Sequence, residues 1–182
     1  MLSLVHVLEW RAAVQPDQVA LSDDRGAELT YAALLTAVEG SAGTFAAAGV
    51  RQGDVVPVIA RNQVGWVTAM LGLIRAGALP AAVNWRLAEP EVRALLELMK
   101  PAAVVADGDC AALATASAAP LGVRVLNDLG GTTPAQPPLR PVERLRGAEP
   151  AILVHTSGTT GRPKLVPLTH DQFISAATFM TL

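Results

Sequence analysis

Nine consecutive residues near the C-terminal end of the sequence carry the groups that phosphate binding requires. The run is Thr156-Ser157-Gly158-Thr159-Thr160-Gly161-Arg162-Pro163-Lys164, with four hydroxyls, two glycines and one ammonium group. Glycines let backbone N–H groups approach a ligand without a Cβ atom in the way, and the hydroxyls add further donors. Lys164 adds a point charge. This composition predicts a loop that binds a polyphosphate rather than a single carboxylate.

The spacing of this run differs from that of a Walker A loop. Lys164 follows Pro163 rather than Gly, and it precedes Leu165 rather than Ser or Thr. Pro163 also lacks an N–H group and would break a helix that began there. The loop composition by itself leaves a second interpretation open, because a solvated turn is often rich in Ser, Thr and Gly.

The segments on either side of the loop predict how it is positioned. The apolar run Ala151-Ile152-Leu153-Val154 is short and contains β-branched residues, which favours a buried strand directly before the loop. After the loop, Thr169 and Gln172 have the spacing of a capping box and predict the start of a helix. We therefore expect the loop to leave the end of a buried strand.

The rest of the chain alternates apolar runs with helical stretches. Predicted helices are Ser3–Val14, Tyr31–Ala48 with Thr30 as its cap and Gly49 as its stop, a helix capped by Asn62 that runs to Ala76 with Gly77 as its stop, and Glu89–Lys100. Predicted strands are Val19–Ser22 paired with Glu28–Thr30, then Asp54–Ala60, Ala78–Val83, Ala102–Ala106 and Arg124–Leu126. This order predicts an α/β fold with a largely parallel sheet and crossover helices. Residues 127–150 are rich in Pro and Gly and predict a surface connection.

Composition excludes several classes of function. The chain has 182 residues, 51% of them hydrophobic, which is enough for the core of one domain. Its net charge is −2 and no basic block occurs, so the electrostatic footprint of a nucleic-acid or anionic-membrane partner is missing. The apolar runs are shorter than the ~20 residues of a membrane span. The lone Cys110 is expected to be a buried residue in a reducing compartment, which favours the cytoplasm.

A few polar residues stand apart from the loop. Asp23 and Asp24 are interpreted as an exposed turn rather than a metal site, and no acidic residue clusters with a histidine to suggest metal ligands. His155 either faces an acyl or nucleotide site or is a packed residue at the end of a strand. His170 is expected at the surface in the first turn of a helix, and His6 on a helix face without a role.

The stretch from Leu153 to His170 resembles the phosphate-binding signature of the AMP-forming acyl-CoA synthetase, adenylation-domain and luciferase superfamily. Upstream, Leu29-Thr30-Tyr31-Ala32-Ala33-Leu34 is similar to the superfamily's "LTYxEL" segment, and Arg75-Ala76-Gly77-Ala78 is similar to its "KAGA" segment, ahead of Asn84-Trp85-Arg86-Leu87. Two positions depart from the pattern: Leu165 stands where Gly is frequent, and His155 stands where an aromatic residue is frequent. Both departures bear on the subfamily more than on the chemistry.

The resemblance implies that a carboxylic acid attacks the α-phosphate of Mg·ATP and that CoA or a carrier thiol then captures the acyl-adenylate. It assigns the binding of the β- and γ-phosphates to seven residues: Thr156, Ser157, Gly158, Thr159, Thr160, Gly161 and Lys164. The superfamily's magnesium-binding Glu, ribose-binding Asp and catalytic Lys have no counterpart here, so no catalytic residue or metal ligand is assigned within the chain. Residues 1–182 are expected to be the N-terminal portion of an adenylation domain. The alternative is a non-catalytic piece that binds nucleotide weakly, self-associates, or needs a partner with the missing half.

Overall fold

A six-stranded sheet forms the centre of the computed structural model, which describes residues 3–129, 146–156 and 163–180. Its strands are β3 (Val55–Ile59), β4 (Leu79–Val83), β5 (Val104–Ala106), β6 (Val125–Leu126), β7 (Pro150–Thr156) and β8 (Lys164–Thr169); a separate hairpin holds β1 (Val19–Ser22) and β2 (Glu28–Thr30). The order in the sheet is β6-β5-β3-β4-β7-β8, and only the β7–β8 pair is antiparallel. The predicted largely parallel sheet is confirmed.

Helices cover both faces of this sheet. They are α1 (Leu4–Val14), α2 (Tyr31–Ala47), α3 (Val64–Arg75), α4 (Glu89–Met99), α5 (Ala111–Ala118) and α6 (His170–Met180). One core cluster joins α2 and α3 to the sheet through residues such as Phe45, Leu73 and Val58, and another joins α4 and α5 to the opposite face through residues such as Leu96 and Ala114. The result is the three-layer α/β architecture that the alternating pattern predicts. Within the described part of the chain, no helix is both long and apolar enough to cross a bilayer.

Helices α2 and α3 cross at a very short distance. A Cβ atom built on Gly72 would lie 2.5 Å from the Cβ of Ser41 and 3.2 Å from the backbone nitrogen of Ala42. Close to this crossing, Arg75 Nε donates to Glu39 Oε1 at 2.6 Å. Only glycine at position 72 allows the two helix backbones to approach this closely.

Strand β8 is an element that the sequence analysis did not predict. It is one of the two edge strands, and Lys164 lies opposite Thr156 while Pro167 lies opposite Leu153 in its ladder with β7. All six of its residues are exposed or half-buried. A strand that contains proline and has little burial carries a weak sequence signal, and sheet edges are where proline is tolerated.

The first turn of α3 is capped from a distant part of the chain. Asn62 was expected to cap this helix, but the N-cap residue is Gln63, and its side chain makes no cap hydrogen bond. Instead Asp23 Oδ2, in the β1–β2 turn, accepts the N–H of Val64 at 3.1 Å. Asp23 Oδ1 accepts two further N–H groups from its own turn, those of Arg25 and Ala27. The interpretation of Asp23 as a turn residue is right, but its carboxylate also fastens the hairpin to α3.

Replacing Asp23 by alanine is expected to lower the melting temperature at neutral pH, because three N–H groups lose their acceptor. These bonds, that of Val64 foremost, lower the pKa of Asp23 from its ordinary value of 3.8. A carboxyl with a lowered folded-state pKa stabilises the fold above that ordinary value, and the stabilisation is lost as pH falls through the folded-state pKa. The difference in melting temperature between wild type and Asp23→Ala should therefore shrink in acid. Circular dichroism measures it, with the exposed neighbour Asp24→Ala as control; equal effects of the two variants would contradict the capping role.

Candidate functional site

A polar crevice of about 630 Å³ opens beyond the carboxyl ends of β3, β4 and β7. Along the chain, β4 is added on one side of β3 and β5 on the other, so the direction of winding reverses at β3. Helices α3 and α4, which follow the two adjacent strands, pack on opposite faces. In open α/β sheets, ligands bind outside the carboxyl ends of the strands, close to such a reversal. The crevice is therefore the first candidate for a functional site.

Three arginines give this crevice cationic walls. Arg25 comes from the β1–β2 turn, Arg61 follows β3, and Arg86 follows β4. The guanidinium carbons of Arg61 and Arg86 each lie 5.0 Å from the centre of the Trp85 ring. Asp109 pairs with Arg25 at 3.1 Å and with Arg61 at 3.2 Å, and all three side chains are about half exposed. Guanidinium groups beside an aromatic ring suit a ligand that carries anionic oxygens.

The two ends of the predicted phosphate loop meet at the same edge of the sheet. Thr156 and Lys164 lie directly opposite each other in the β7–β8 ladder and are both exposed. Opposed residues of an antiparallel pair project their side chains on the same face, so the hydroxyl and the lysine side chain share one side of the sheet. The other five proposed phosphate-binding residues, Ser157, Gly158, Thr159, Thr160 and Gly161, lie outside the described residues.

His155 lies between two cavities. It lines the polar crevice and also a more apolar cavity of about 510 Å³ that Pro163 and α4 enclose. Its Nε2 accepts the N–H of Asn84 at 3.5 Å, which joins the end of β7 to the residue after β4. Burial lowers the pKa of His155 from 6.5, which favours the neutral ring. His155 is thus a strand-end residue that lines both cavities; that either cavity is an acyl or nucleotide site stays a prediction.

A buried carboxylate, that of Asp107, holds the segment that follows β3. Asp107, which is 8% exposed, accepts the N–H of Arg61 at 3.1 Å and the side-chain amide of Gln63 at 2.8 Å. It also accepts the N–H of Cys110 at 2.8 Å. Burial, together with Asp107, raises the pKa of the Cys110 thiol to about 12. Cys110 is therefore a buried thiol, as predicted, and not a thiolate nucleophile.

The crevice arginines were not identified from the sequence. A signal for two of them exists, because Arg61 and Arg86 come within three residues of the ends of β3 and β4. Carboxyl ends of neighbouring parallel strands meet at one edge of a sheet, so polar residues just after predicted strands are candidates to converge. The contribution of Arg25 depends on the docking of the hairpin and has no comparable local signal.

Two histidines lie differently from the expectation. His170 is the first residue of α6, as expected, but it is 1% exposed and not a surface residue. Its Nδ1 accepts the N–H of Leu4, a contact between residues 166 positions apart. His6 is not without a role, since its Nδ1 accepts the N–H of Ser3 at 3.2 Å and completes the cap of α1. Both corrections come from contacts at the N-terminus of α1.

Comparison with known proteins agrees with the geometry. A family model described as AMP-binding enzyme matches residues 8–181. The 4-chlorobenzoate-CoA ligase of an Arthrobacter species is 33% identical over 193 residues, an alignment that covers 100% of this chain and 36% of that protein. The AMB antimetabolite synthetase AmbE of Pseudomonas aeruginosa is 33% identical over 172 residues, which cover 92% of this chain and 8% of AmbE.

Solved structures show the same fold. The N-terminal domain of FACL13 from Mycobacterium tuberculosis has a TM-score of 0.86 at 28% identity, over 98% of this chain and 47% of that chain. A fatty acyl CoA synthetase of Mycobacterium tuberculosis has a TM-score of 0.83 at 26% identity, over 97% of this chain and 36% of that chain. The present chain thus spans less than half the length of each of these chains. Because the family model covers almost the whole sequence and the sheet is that of N-terminal domains of adenylate-forming enzymes, the chain belongs to the AMP-binding enzyme family.

Proposed function

We propose that this chain is the N-terminal part of an ATP-dependent, AMP-forming carboxylate-CoA ligase and that it supplies the triphosphate-binding loop. The observation that carries the proposal is the position of Thr156 opposite Lys164, at the carboxyl end of β7 and next to the arginine-lined crevice. Both ends of the loop therefore lie at the carboxyl end of β7, on the side of the sheet where α/β proteins bind ligands. Family membership and the 4-chlorobenzoate-CoA ligase relative support the same reaction class.

In this proposal the loop holds the group that leaves. The substrate carboxylate attacks the α-phosphate of ATP, an acyl-adenylate forms, and pyrophosphate departs with the electron pair of the broken P–O bond. The hydroxyls, backbone N–H groups and ammonium group of the seven loop residues would bind the β- and γ-phosphate oxygens as charge develops on them. Donors fixed before the reaction stabilise that charge without reorganising, which lowers the barrier.

The donor set of this region fits phosphate. Hydroxyl, ammonium and guanidinium groups bind phosphate oxygens through charge-assisted hydrogen bonds. The side chains of residues 3–129, 146–156 and 163–177 bring together no group of three His, Cys, Asp or Glu that could hold a metal ion. The ligand of Mg2+ would come from a part of the enzyme outside this chain, as the resemblance implies. When bound, Mg2+ would neutralise part of the charge on the triphosphate.

The substrates are a carboxylic acid and a thiol. CoA is the proposed thiol, on the strength of the relative named 4-chlorobenzoate-CoA ligase, and a carrier-protein thiol is the alternative. A Lys164→Ala variant of a protein that joins this chain to the family's later motifs tests the assignment of the loop. Only the half-reaction that releases pyrophosphate should slow.

Alone, the 182-residue chain is expected to bind ATP in the millimolar range or more weakly and to make no acyl-adenylate. Charge-assisted hydrogen bonds from the loop contribute ~1.5–3 kcal/mol each, whereas association costs an estimated ~4–15 kcal/mol. A dissociation constant of about 1 mM corresponds to only about −4 kcal/mol. Calorimetric titration with ATP and a pyrophosphate-release assay with Mg·ATP and a panel of carboxylic acids measure the two quantities.

Turnover by the purified chain, or micromolar ATP binding, would show that it is self-sufficient. Activity that appears only when a separately produced C-terminal part is added would identify the partner-dependent alternative. That outcome would retain the proposed role of the loop, because the chain would still supply it to the assembled enzyme.

A further inference from the structure

Two imidazole rings accept the first N–H groups of helix α1. The initial N–H groups of any α-helix lack partners within the helix and need other acceptors. Here His6 Nδ1 accepts the N–H of Ser3 at 3.2 Å, and His170 Nδ1 accepts the N–H of Leu4 at 3.3 Å. Ser3 Oγ lies 2.7 Å from the same His6 nitrogen and accepts the N–H of His6 at 3.3 Å. We name the pair His6 and His170, with the two backbone N–H groups, the histidine clasp.

Part of the clasp is closed to water. Ser3 is 0% exposed and His170 is 1% exposed, whereas Leu4 and His6 are half-buried. Val5, in the first turn of α1, is fully buried against Ile74 of α3 and Ile152 of β7. If the N–H group of Ser3 lost its acceptor while the helix stayed docked, it would remain buried and unsatisfied.

Both acceptors work only when the rings are neutral. An imidazole nitrogen accepts a hydrogen bond through its lone pair, and in the protonated ring both nitrogens are donors. Protonation at His170 Nδ1 would set an N–H group against the N–H of Leu4, which this nitrogen now accepts. The added positive charge would also lie at the N-terminal, positive end of the α1 dipole. Each effect opposes the docked position of the helix.

We propose that the histidine clasp is an acid-sensitive device in which the neutral His170 ring holds the N-terminus of α1 against α6 and releases it when that ring gains a proton. It does not depend on the proposed ligase function, because it uses only contacts between the first and last described helices. Release would uncover Val5, Ile74 and Ile152. Since β7 carries Ile152 and ends at Thr156, acid would loosen the side of the sheet that leads into the predicted phosphate loop.

Charged groups around His170 modify this behaviour without reversing it. Burial is the largest cause and lowers the pKa of His170 from 6.5. Glu149, in the turn before β7, and Asp171, on α6, oppose this and raise the pKa by less than burial lowers it, and His6 on α1 has the smallest effect and lowers it. A histidine that is held neutral in the fold stabilises it fully above the ordinary pKa. That stabilisation is lost as pH falls through the lowered folded-state value.

Hydrogen exchange of the α1 amides tests the clasp directly. Protection factors, corrected for the intrinsic pH dependence of exchange, are measured by mass spectrometry at about pH 7.5 and about pH 5.5, on either side of the ordinary histidine pKa. Wild type should lose α1 protection about fivefold or more at the lower pH, the factor that one net hydrogen bond represents. Helix α4, which lies in the other core cluster, is the internal control and should change much less.

Two substitutions separate titration from packing. In His170→Gln the side-chain oxygen can accept the N–H of Leu4 at any pH, so its α1 protection should depend less on pH than that of wild type. The double variant His6→Gln/His170→Gln should show no selective loss of α1 protection in acid. In His170→Phe the acceptor is absent, and α1 should be poorly protected at both pH values.

Unchanged α1 protection in wild type between the two pH values would overturn the proposal, as would an undiminished acid loss in the double variant. Should the glutamine variants fail to fold, wild type alone still decides. The His170 ring is followed by NMR, which gives its pKa in the folded state, and the loss of α1 protection must lie between the ordinary histidine pKa and that value. A loss of protection outside this interval would assign it to another group and reject the clasp.

Discussion

Lys164→Ala is expected to slow acyl-adenylate formation by about a hundredfold to a thousandfold in an enzyme that contains this chain and the family's later motifs. Removing one fixed donor from a site where charge develops costs about 10²–10³ in rate in comparable cases. Lys164 is exposed at the start of β8, opposite Thr156, so the alanine variant removes a charge without opening a cavity in the core.

The two half-reactions, measured separately, identify the step that is affected. Pyrophosphate release reports adenylate formation, and thioester formation from supplied acyl-adenylate reports the second step. The second rate should stay nearly unchanged, because the phosphates that Lys164 is proposed to bind have already left. Equal losses in the two steps would contradict the proposed role of the loop.

The chain offers a matched control for the lost charge. Lys100 and Lys164 are its two lysines. Lys100 ends α4 with a φ of +48°, a left-handed conformation that asparagine tolerates better than most residues. Lys100→Asn therefore removes one positive charge with little strain and far from β7 in the sequence. It should leave both half-reactions at wild-type rates.

Gly72→Ala is expected to destabilise the fold by about 2 kcal/mol, although alanine favours a helix by about 1 kcal/mol over glycine. The new methyl group would lie 2.5 Å from the Cβ of Ser41, so α2 and α3 must separate. Separation would also disturb the ion pair between Arg75 and Glu39. For a chain of this size such a loss lowers the melting temperature by roughly 5 °C. Denaturant unfolding gives the free energy directly.

Two further variants show whether the contact itself is the cause. Gly108→Ala adds a methyl group where no atom lies within 4 Å, so it should be close to neutral. Ser41→Gly removes the opposing Cβ. The double variant Ser41→Gly/Gly72→Ala should therefore recover much of the lost stability and be more stable than the sum of the two single changes in unfolding free energy predicts. Simple additivity of Ser41→Gly and Gly72→Ala would show that the helices are not in tight contact at this point.

Local signals in the sequence predicted most of the fold. Thr30 caps α2, and Thr169 and Gln172 form the capping box expected at the start of α6. Gly49 and Gly77, predicted to stop α2 and α3, have φ values of +82° and +83°. Caps and helix stops act within a few residues, and this is why they can be recognised without knowledge of the tertiary structure.

Features that depend on distant contacts could not be predicted in this way. Asp23 caps α3 across 41 residues, and His170 accepts the N–H of Leu4 across 166. The alanine-rich helix α5 was also missed, because alanine gives little contrast between a buried and an exposed face. Of the proposed site, the sequence indicated the loop, whereas the convergence of Arg25, Arg61 and Arg86 required the folded sheet.

The contact between Leu4 and His170 also has a consequence for synthesis on the ribosome. Leu4 is made 166 residues before the ring that accepts its N–H. At about 5–20 residues per second, that interval is roughly 10–30 s. Leu8, by contrast, packs on Leu34 and Val38 of α2, which are made much earlier. Helix α1 can therefore dock early through its middle turn, but its N-terminus is secured only when α6 has emerged.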